Sequence, residues 1–162
     1  MDIKIRHTEI GDLESVMGIY DYERAEMKKN GNPHQWGDNY PAEAVIRDDI
    51  QNKNSYVIEK DGAIIGTFAF IIGEDPTYQK IDGKWLRGGA YGTIHRIARG
   101  ENAKGVFDAC LRFCESQISN IRIDTHRDNK IMQHLIEKNG FDKCGIIYLA
   151  NGSPRIAYQK LI

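Results

Sequence analysis

The sequence lacks the features that mark several classes of protein. Its longest apolar run, residues 64–73, is interrupted and far too short to span a bilayer. Its first ten residues carry no apolar run of the kind that a secretory signal needs. Its formal net charge is only −1, which gives no reason to expect nucleic acid or an acidic membrane surface as a partner. We therefore expect neither partner.

Cysteine is also scarce. Three cysteines, an odd number, give no disulfide framework. Cys110 and Cys114 are one helical turn apart and are expected to be core thiols. No set of His, Cys and carboxylate residues has the spacing of metal ligands, so we expect no metal. A reducing cytoplasm is the location that these features favour.

The apolar residues that are present predict one domain over residues 1–162, with a single sizeable core. Hydrophobic periodicity predicts the order β-α-α-β-β-β-α-β-α-β-β. Thr8 is expected to cap the first helix, and Ile131, Leu135 and, as a third candidate, Met132 to face inward on the last. The order predicts an α/β (α+β) fold, in which a mixed sheet carries helices on both faces. The predicted strands are 3–5, 55–59, 63–73, 91–98, 120–125, 144–149 and 155–161, and the predicted helices are 13–28, 41–50, 105–114 and 128–138.

The stretch from Tyr91 to Cys114 carries the first functional signal. It is typical of a strand, a polar turn that contains Gly100, and a helix that opens at Gly105. A helix that begins at a glycine leaves its first N–H groups unpaired at the positive end of its dipole, where they can bind phosphate. The same pattern also occurs at joints that bind nothing, and it is neither a Walker loop nor a dinucleotide fingerprint.

Four segments resemble the GNAT superfamily of acyl-CoA-dependent N-acetyltransferases. They are the opening strand and helix (3–20), a hairpin around Asp61 and Gly62 (59–70), the strand–loop–helix HRIARGENAKGVFDACLRFC (95–114) and the late helix NKIMQHLIEKNGF (129–141). The resemblance covers nearly the whole chain. It implies a GNAT-like, mostly antiparallel sheet of about seven strands in a single acetyltransferase domain.

The resemblance also implies acetyl-CoA as acyl donor, with its pyrophosphate on the backbone of the 102–107 loop and its pantetheine arm along the strand edge at 97–99. Two positions depart from the family pattern. Phe107 stands where a small residue is usual, and Ile136 stands where a tyrosine often serves as general acid. The implied cofactor-binding residues are Ile97, Ala98, Arg99, Asn102, Ala103, Lys104, Gly105, Val106, Phe107 and Asn129.

The transfer needs a base, because an alkyl amine with a pKa of about 10.4 is almost fully protonated at neutral pH. His95 is the first candidate, since strand alternation places it on the same face as Ile97, whose N–H is expected to stabilise the oxyanion. A structural histidine is the competing interpretation. Glu74 is an alternative base and Tyr148 an alternative acid, against the ordinary readings of a surface carboxylate and a packed ring.

The acceptor is expected to lie between the first two helices and the later strands, where aromatic and acidic residues gather. Glu23, Glu26, Trp36, Tyr78 and Trp85 are the candidate substrate-binding residues. Packing at the rim of the core is the competing role for the two tryptophans. The acceptor class stays open among a polyamine, an amino acid, a drug-like amine and a protein terminus, and a homodimer is a further possibility.

The leading hypothesis is an N-acetyltransferase that moves an acetyl group from acetyl-CoA to a primary amine of a small molecule or peptide, by direct transfer in a ternary complex. One alternative is a catalytically weak CoA-binding sensor or regulatory module of the same fold, suggested by Phe107 and Ile136. Another is an interaction domain without a nucleotide. Binding of CoA separates the first two from the third.

Overall fold

A single mixed sheet organises the chain in the computed structural model, which describes residues 3–162. Its eight strands are β1 (Ile3–His7), β2 (Ser55–Lys60), β3 (Ala63–Ile72), β4 (Asp82–Gly83), β5 (Gly92–Arg99), β6 (Asn120–Thr125), β7 (Asp142–Tyr148) and β8 (Pro154–Leu161). They lie in the order β1-β2-β3-β5-β6-β8-β7-β4. Every neighbouring pair is antiparallel except β5 and β6, which are parallel. The mostly antiparallel mixed sheet that we predicted is confirmed. The eighth strand is β4, two residues within the predicted loop that pair with β7.

Helices cover both faces of the sheet, as predicted. They are α1 (Leu13–Lys29), α2 (Glu43–Gln51), α3 (Val106–Gln117) and α4 (Lys130–Lys138), with short 3-10 turns at Ile10–Asp12 and Pro76–Tyr78. Strand alternation divides the core between the two faces. Val57 packs with α1 and α2, whereas its neighbour Ile58 packs in the cluster that contains α3 and α4 residues. Each fully buried side chain of this size contributes about 1.5–3 kcal/mol.

Two local predictions were wrong. Thr8 does not cap the first helix, because it is still bound to the sheet: its N–H donates to Ser55 O at 2.9 Å and its hydroxyl is 2.7 Å from that of Ser55. Ile131 does not face inward, since it is 51% exposed and Ile136 is fully buried instead. The Asn129 side chain caps α4 by accepting from Met132 N, and the inward face then runs through residues 132, 135 and 136.

A bulge in β5 positions the rest of the molecule. Thr67 pairs with Ala98 and Ala69 with His95, so Arg96 and Ile97 both lie opposite a single residue of β3. Arg96 adopts a left-handed backbone with φ 50°. The extra residue breaks the alternation, and Ile97 packs against the same cluster as Ile94, while His95 approaches Tyr78 in a different one. The prediction that His95 and Ile97 share a face was therefore wrong.

β5 and β6 part just before this bulge. Among residues 3–162, the pairs Gly92–Ile121 and Thr93–Arg122 are the only ones that join the two strands. Beyond Thr93, the edge of β5 that faces β6 has no strand partner among the described residues, and the sheet opens into a gap. In the same part of the chain, no helix is long and apolar enough to cross a membrane.

Gly92, at the start of the parallel pair, provides a test of the packing. A Cβ at this position would lie 2.3 Å from the Cζ atom of Phe70, a clash that only movement of a buried ring can relieve. We predict that Gly92→Ala lowers the free energy of unfolding by about 1–3 kcal/mol, measured by urea denaturation. Gly88→Ala is the matched control, because nothing lies within 4 Å of its added Cβ. Equal stability of the two variants would contradict the close approach.

Candidate active site

Two cavities meet where β5 leaves β6. The first, of about 420 Å³, lies between the N-terminal ends of α3 and α4, and we call it the helix cavity. The second, of about 710 Å³, lies against the open strands and under the loop that joins α1 to α2, and we call it the strand cavity. Both are lined by Met27, Ile97, Asn129 and Met132. Ile97, the second residue of the bulge, therefore stands between them.

The helix cavity has the character of an anion site. Gly105 caps α3 in a left-handed conformation, φ 74°, and the first helical bond is donated by Ala109 N to Gly105 O. The N–H groups of the first turn, residues 106–108, thus have no partner within the helix. Lys104, Lys130 and Lys138 line the same cavity with Arg99, and the opposing charges in the lining are Glu23, Asp108 and Asp128. Such a set suits a polyphosphate group.

All of the predicted cofactor residues except Asn102 line the helix cavity. Asn102 is exposed, lies in a left-handed turn and does not belong to the lining. Phe107 does not fill the cavity, because its ring belongs to the main core and is only 5% exposed. Sequence reasoning did not include Lys130 and Lys138, in the first and last turns of α4, among the cofactor-binding residues.

The open edge of β5 supplies backbone donors. Gly100 N donates to Ile65 O of β3, so alternation turns the N–H of Arg99, and by the same rule that of Ile97, toward the gap. A side chain already occupies one of these donors: the Arg99 N–H donates to Glu23 Oε1 at 3.3 Å. We expected Glu23 in the acceptor pocket, but it lines the helix cavity, where burial raises its pKa.

His95 is paired with a carboxylate that the sequence reasoning did not single out. Its Nε2 atom lies 2.8 Å from Asp75 Oδ2, and both side chains line the strand cavity. Burial alone would raise the pKa of Asp75, but hydrogen bonds from His95 and Thr77 outweigh it and lower the pKa to about 2. The ionised Asp75 orients the imidazole. The available signal was the Asp-Pro step, since Asp75 caps the 3-10 turn at Pro76–Tyr78.

A second carboxyl group lies beside this pair. Asp124 of β6 lines the strand cavity and accepts a 2.6 Å hydrogen bond from the Tyr78 hydroxyl. Burial raises the pKa of Asp124, and the attraction of His95 and a hydrogen bond from Tyr78 oppose the rise. Tyr78 itself does not line the cavity. It was predicted to contact substrate, and its contact with the site runs through Asp124 instead.

An ion pair holds the bulge in place. Arg96 donates from Nε and Nη2 to the two carboxylate oxygens of Asp49 on α2, each at 2.8 Å. Its backbone carbonyl accepts from the Tyr20 hydroxyl at 2.7 Å, and its Nη1 donates to the Tyr40 hydroxyl at 3.1 Å. Trp36, a predicted substrate residue, lines the strand cavity beside Tyr20 and Tyr40. The α1–α2 loop and the bulge are therefore braced against each other.

Several predicted residues lie away from both cavities. Glu74 is exposed, and Tyr148 is exposed at the far side of the sheet, where its hydroxyl donates to Asp82. Glu26 lines neither cavity.

Trp85 packs on Tyr78 and on the Arg122 guanidinium. The Cζ atom of Arg122 lies 4.0 Å from the centre of the Trp85 ring. Glu74, Tyr148, Glu26 and Trp85 either face solvent or pack against other side chains, so the structure does not bring them to the site.

Ile136 is fully buried in the core and lines neither cavity. The residue that stands at the position of the frequent family tyrosine therefore neither donates a proton nor faces the site. No group of three or more His, Cys, Asp or Glu residues within 3–162 is arranged to hold a metal ion.

Comparison with known proteins identifies relatives by structure. No protein-family model and no curated protein matches the sequence. A crystal structure of a GNAT-family acetyltransferase from Streptococcus agalactiae matches with a TM-score of 0.90 and 33% identity, over 99% of this chain and 95% of that one. A GNAT-family acetyltransferase from Listeria monocytogenes matches with a TM-score of 0.72 and 20% identity, over 99% and 95% of the two chains. The NatC complex bound to Gag peptide and CoA shares the fold, with a TM-score of 0.57 and 16% identity over 100% and 99%.

The Asp75–His95 pair makes a prediction about acid stability. Because the pKa of Asp75 is lowered to about 2 in the folded protein, its ionised form stabilises the fold above the unfolded pKa of about 3.9. This contribution is lost as the pH falls toward 2. We predict that the difference in free energy of unfolding between the wild type and Asp75→Asn shrinks by on the order of 2 kcal/mol between pH 5 and pH 2, measured by urea denaturation. Glu74→Gln controls for the loss of one negative charge, and a pH-independent difference for Asp75→Asn would contradict the pairing.

Proposed function

The chain belongs to the GNAT family of acetyltransferases, and on that premise we propose that it transfers an acetyl group from acetyl-CoA to a primary amine of a small molecule or peptide, by direct transfer in a ternary complex. The observation that carries the proposal is the meeting of the two cavities at Ile97. One cavity has the donors and cations of a phosphate site, and the other holds a histidine–carboxylate pair. A donor and an acceptor in these two cavities would face each other at that residue.

Acetyl-CoA supplies an activated acetyl thioester when it is bound, and the helix cavity fits it. The N–H groups at the start of α3 and the side chains of Lys104, Lys130 and Lys138 would hold its phosphates. The unpaired edge of β5 offers the N–H groups that the amides of the pantetheine arm need. The N–H of Ile97 points to the same edge and would stabilise the developing oxyanion, a role worth roughly 3–4 kcal/mol.

His95 is the proposed general base. The hydrogen bond to Asp75 engages Nε2, which leaves Nδ1 of the neutral ring to take a proton from the acceptor amine, directly or through a water. The carboxyl groups of Asp75 and Asp124 also make this end of the strand cavity attractive to a cationic amine. Glu74 and Tyr148, the alternatives that the sequence suggested, are not retained because they lie outside both cavities.

The absence of an acid at Ile136 is compatible with turnover. The leaving thiol has a pKa of about 8.5, so it departs as a thiolate without full protonation. Direct transfer is favoured because no cysteine within residues 3–162 lines either cavity: Cys110 and Cys114 are buried in the core, and Cys144 lies on β7. An acyl-cysteine intermediate therefore has no nucleophile at the site.

The burial of Ile136 is also the one observation that favours the second candidate, a catalytically weak CoA-binding sensor. Two measurements on the purified protein separate the possibilities. A calorimetric titration with acetyl-CoA tests the helix cavity, and free thiol release in the presence of a panel of primary amines tests the transfer. Binding with amine-dependent thiol release supports the enzyme, binding without release favours the sensor, and no binding up to millimolar concentration rejects both.

His95 is tested by His95→Gln, which keeps a polar side chain but cannot accept a proton near neutral pH. We predict that kcat falls by at least about 100-fold, with little change in the calorimetric affinity for acetyl-CoA. His134→Gln, on the exposed side of α4, is the matched control. Wild-type turnover in the His95 variant across neutral pH would remove His95 as the base.

Glu23 is tested by its effect on the cosubstrate. Its carboxylate competes for the Arg99 N–H on the edge where the pantetheine arm is expected to pair. Because an amide is a weaker acceptor by about 1 kcal/mol, Glu23→Gln should tighten acetyl-CoA binding by about fivefold in a calorimetric titration. Glu26→Gln, one turn along α1 and outside both cavities, should bind as the wild type does. Weaker binding by the Glu23 variant would mean that this carboxylate helps to hold the ligand.

A further inference from the structure

Two arginines line the strand cavity, and they differ in their partners. Arg96 is neutralised by both oxygens of Asp49. Arg155 of β8 takes part in none of the ion pairs among residues 3–162, so no carboxylate there lies within 4.0 Å of it. It is nevertheless buried, with 6% of its surface exposed. Burial of a cation without a counter-charge is costly, and here burial lowers its pKa while Asp124 opposes the change.

The hydrogen bonds of Arg155 leave part of its guanidinium free. Nη1 donates to Ser153 Oγ at 2.6 Å and to Pro154 O at 2.8 Å, and Nη2 donates to Gln35 O at 3.2 Å. All three acceptors are uncharged. A guanidinium has five N–H donors, so one on Nε and one on Nη2 have no partner among residues 3–162. These two lie on adjacent nitrogens, an arrangement that can hold a carboxylate through two parallel bonds.

The unpartnered Nε atom of Arg155 is not sealed inside the protein. The buried side-chain atoms that lack a partner within residues 3–162 are Asn32 Oδ1, Thr93 Oγ1, Arg122 Nε and Thr125 Oγ1, and none of them belongs to Arg155. Since Arg155 lines the strand cavity, a ligand in that cavity can reach it.

Strand register places Arg155 in line with the proposed base. Asp124 of β6 pairs with Ala157 of β8, and Arg155 is two residues away on the same strand, so Asp124 and Arg155 are diagonal neighbours on one face. His95 and Asp124 each lie two residues beyond the last β5–β6 pair, Thr93–Arg122. Histidine, aspartate and arginine thus follow one another across three strands. The cavity therefore has carboxyl groups beside His95 and a guanidinium on the far side of Asp124.

We propose that the acceptor is an amine that also carries a carboxylate, with the amine at His95 and Asp75 and the carboxylate on the Arg155 guanidinium. This inference rests on the proposed function and narrows its acceptor class to amino acids and related amino-carboxylates. A diamine would place its second cation against Arg155, and it should be a poor acceptor.

The test compares matched pairs of acceptors by free thiol release from acetyl-CoA. Each α-amino acid, and each member of the ω-amino acid series from β-alanine to 6-aminohexanoate, is paired with the amine that lacks its carboxylate. We expect kcat/KM to favour the carboxylate member by at least about tenfold for the best pair. The ratio of kcat/KM within a pair should fall to near one in Arg155→Met. It should fall to an intermediate value in Arg155→Lys, which keeps the positive charge but cannot bind a carboxylate through two parallel bonds. KM for acetyl-CoA should not change.

The ratio separates recognition from a structural role. Arg155 also holds the α1–α2 loop through Gln35 O, and loss of that contact alone would slow both members of a pair equally. Arg127→Met is the matched control, because Arg127 is exposed and lines neither cavity. If Arg155→Met does not fold, the ratios measured for the wild type and for Arg155→Lys still test whether Arg155 binds the carboxylate.

The remaining outcomes are distinguishable. Equal turnover of paired acceptors, or a preference for O-phosphoethanolamine over β-alanine, would overturn the carboxylate site and leave the acetyltransferase proposal standing. Without thiol release from any amine, the transfer proposal fails, and calorimetric binding of the same pairs to the CoA-saturated protein tests the Arg155 site alone. Equal affinities within the pairs would then overturn it as well.

Discussion

The bidentate ion pair between Arg96 and Asp49 is the interaction on which the rest of the site depends. A left-handed backbone costs a non-glycine residue roughly 1–2 kcal/mol, so the bulge at Arg96 persists only because its surroundings hold it. The two bonds to Asp49, with the Tyr20 hydroxyl on the backbone carbonyl, fix the extra residue against α1 and α2. Ile97 is thereby turned onto the opposite face from the one that regular alternation would give it.

The gap between β5 and β6 opens just before the bulge and has an energetic cost. Strand N–H groups that a closed sheet would pair are left without strand partners from residue 94 onward. Glu23 offsets part of this cost, because its carboxyl group accepts a hydrogen bond from the unpaired Arg99 N–H. The carboxyl group is itself buried there, which raises its pKa. An open edge in the middle of a sheet is best explained by a ligand that pairs with its N–H groups. This explanation agrees with the proposed binding of the pantetheine arm beside the helix cavity.

Local signals were enough to predict most of the architecture, because the longer helices and strands have their own periodicity and several of them have a glycine or proline at one boundary, such as Gly62 after β2 and Gly140 after α4. The cofactor loop could be located for the same reason, since Gly105 marks the start of α3 in the sequence. The contacts around the proposed base could not be predicted in this way. Asp75 meets His95, and Asp49 meets Arg96, only because a bulge and a long loop bring together residues 20 and 47 positions apart. No pattern in the sequence indicates φ 50° at an arginine.

The misplaced acidic residues show why composition was a poor guide to the acceptor. Glu23, Glu26 and Glu74 suggested a pocket for cations, yet none of them lines the strand cavity. Asp75, from the loop after β3, lines the cavity with two strand residues, Asp124 and Arg155. The separation of 31 positions between Asp124 and Arg155 hides that they are diagonal neighbours in the sheet. The carboxyl groups beside His95 and the Arg155 guanidinium, which has no ion-pair partner among residues 3–162, make the charge of the lining change sign along the cavity. An acceptor with both charges matches that lining at both ends, whereas a simple amine or a diamine leaves one end unmatched.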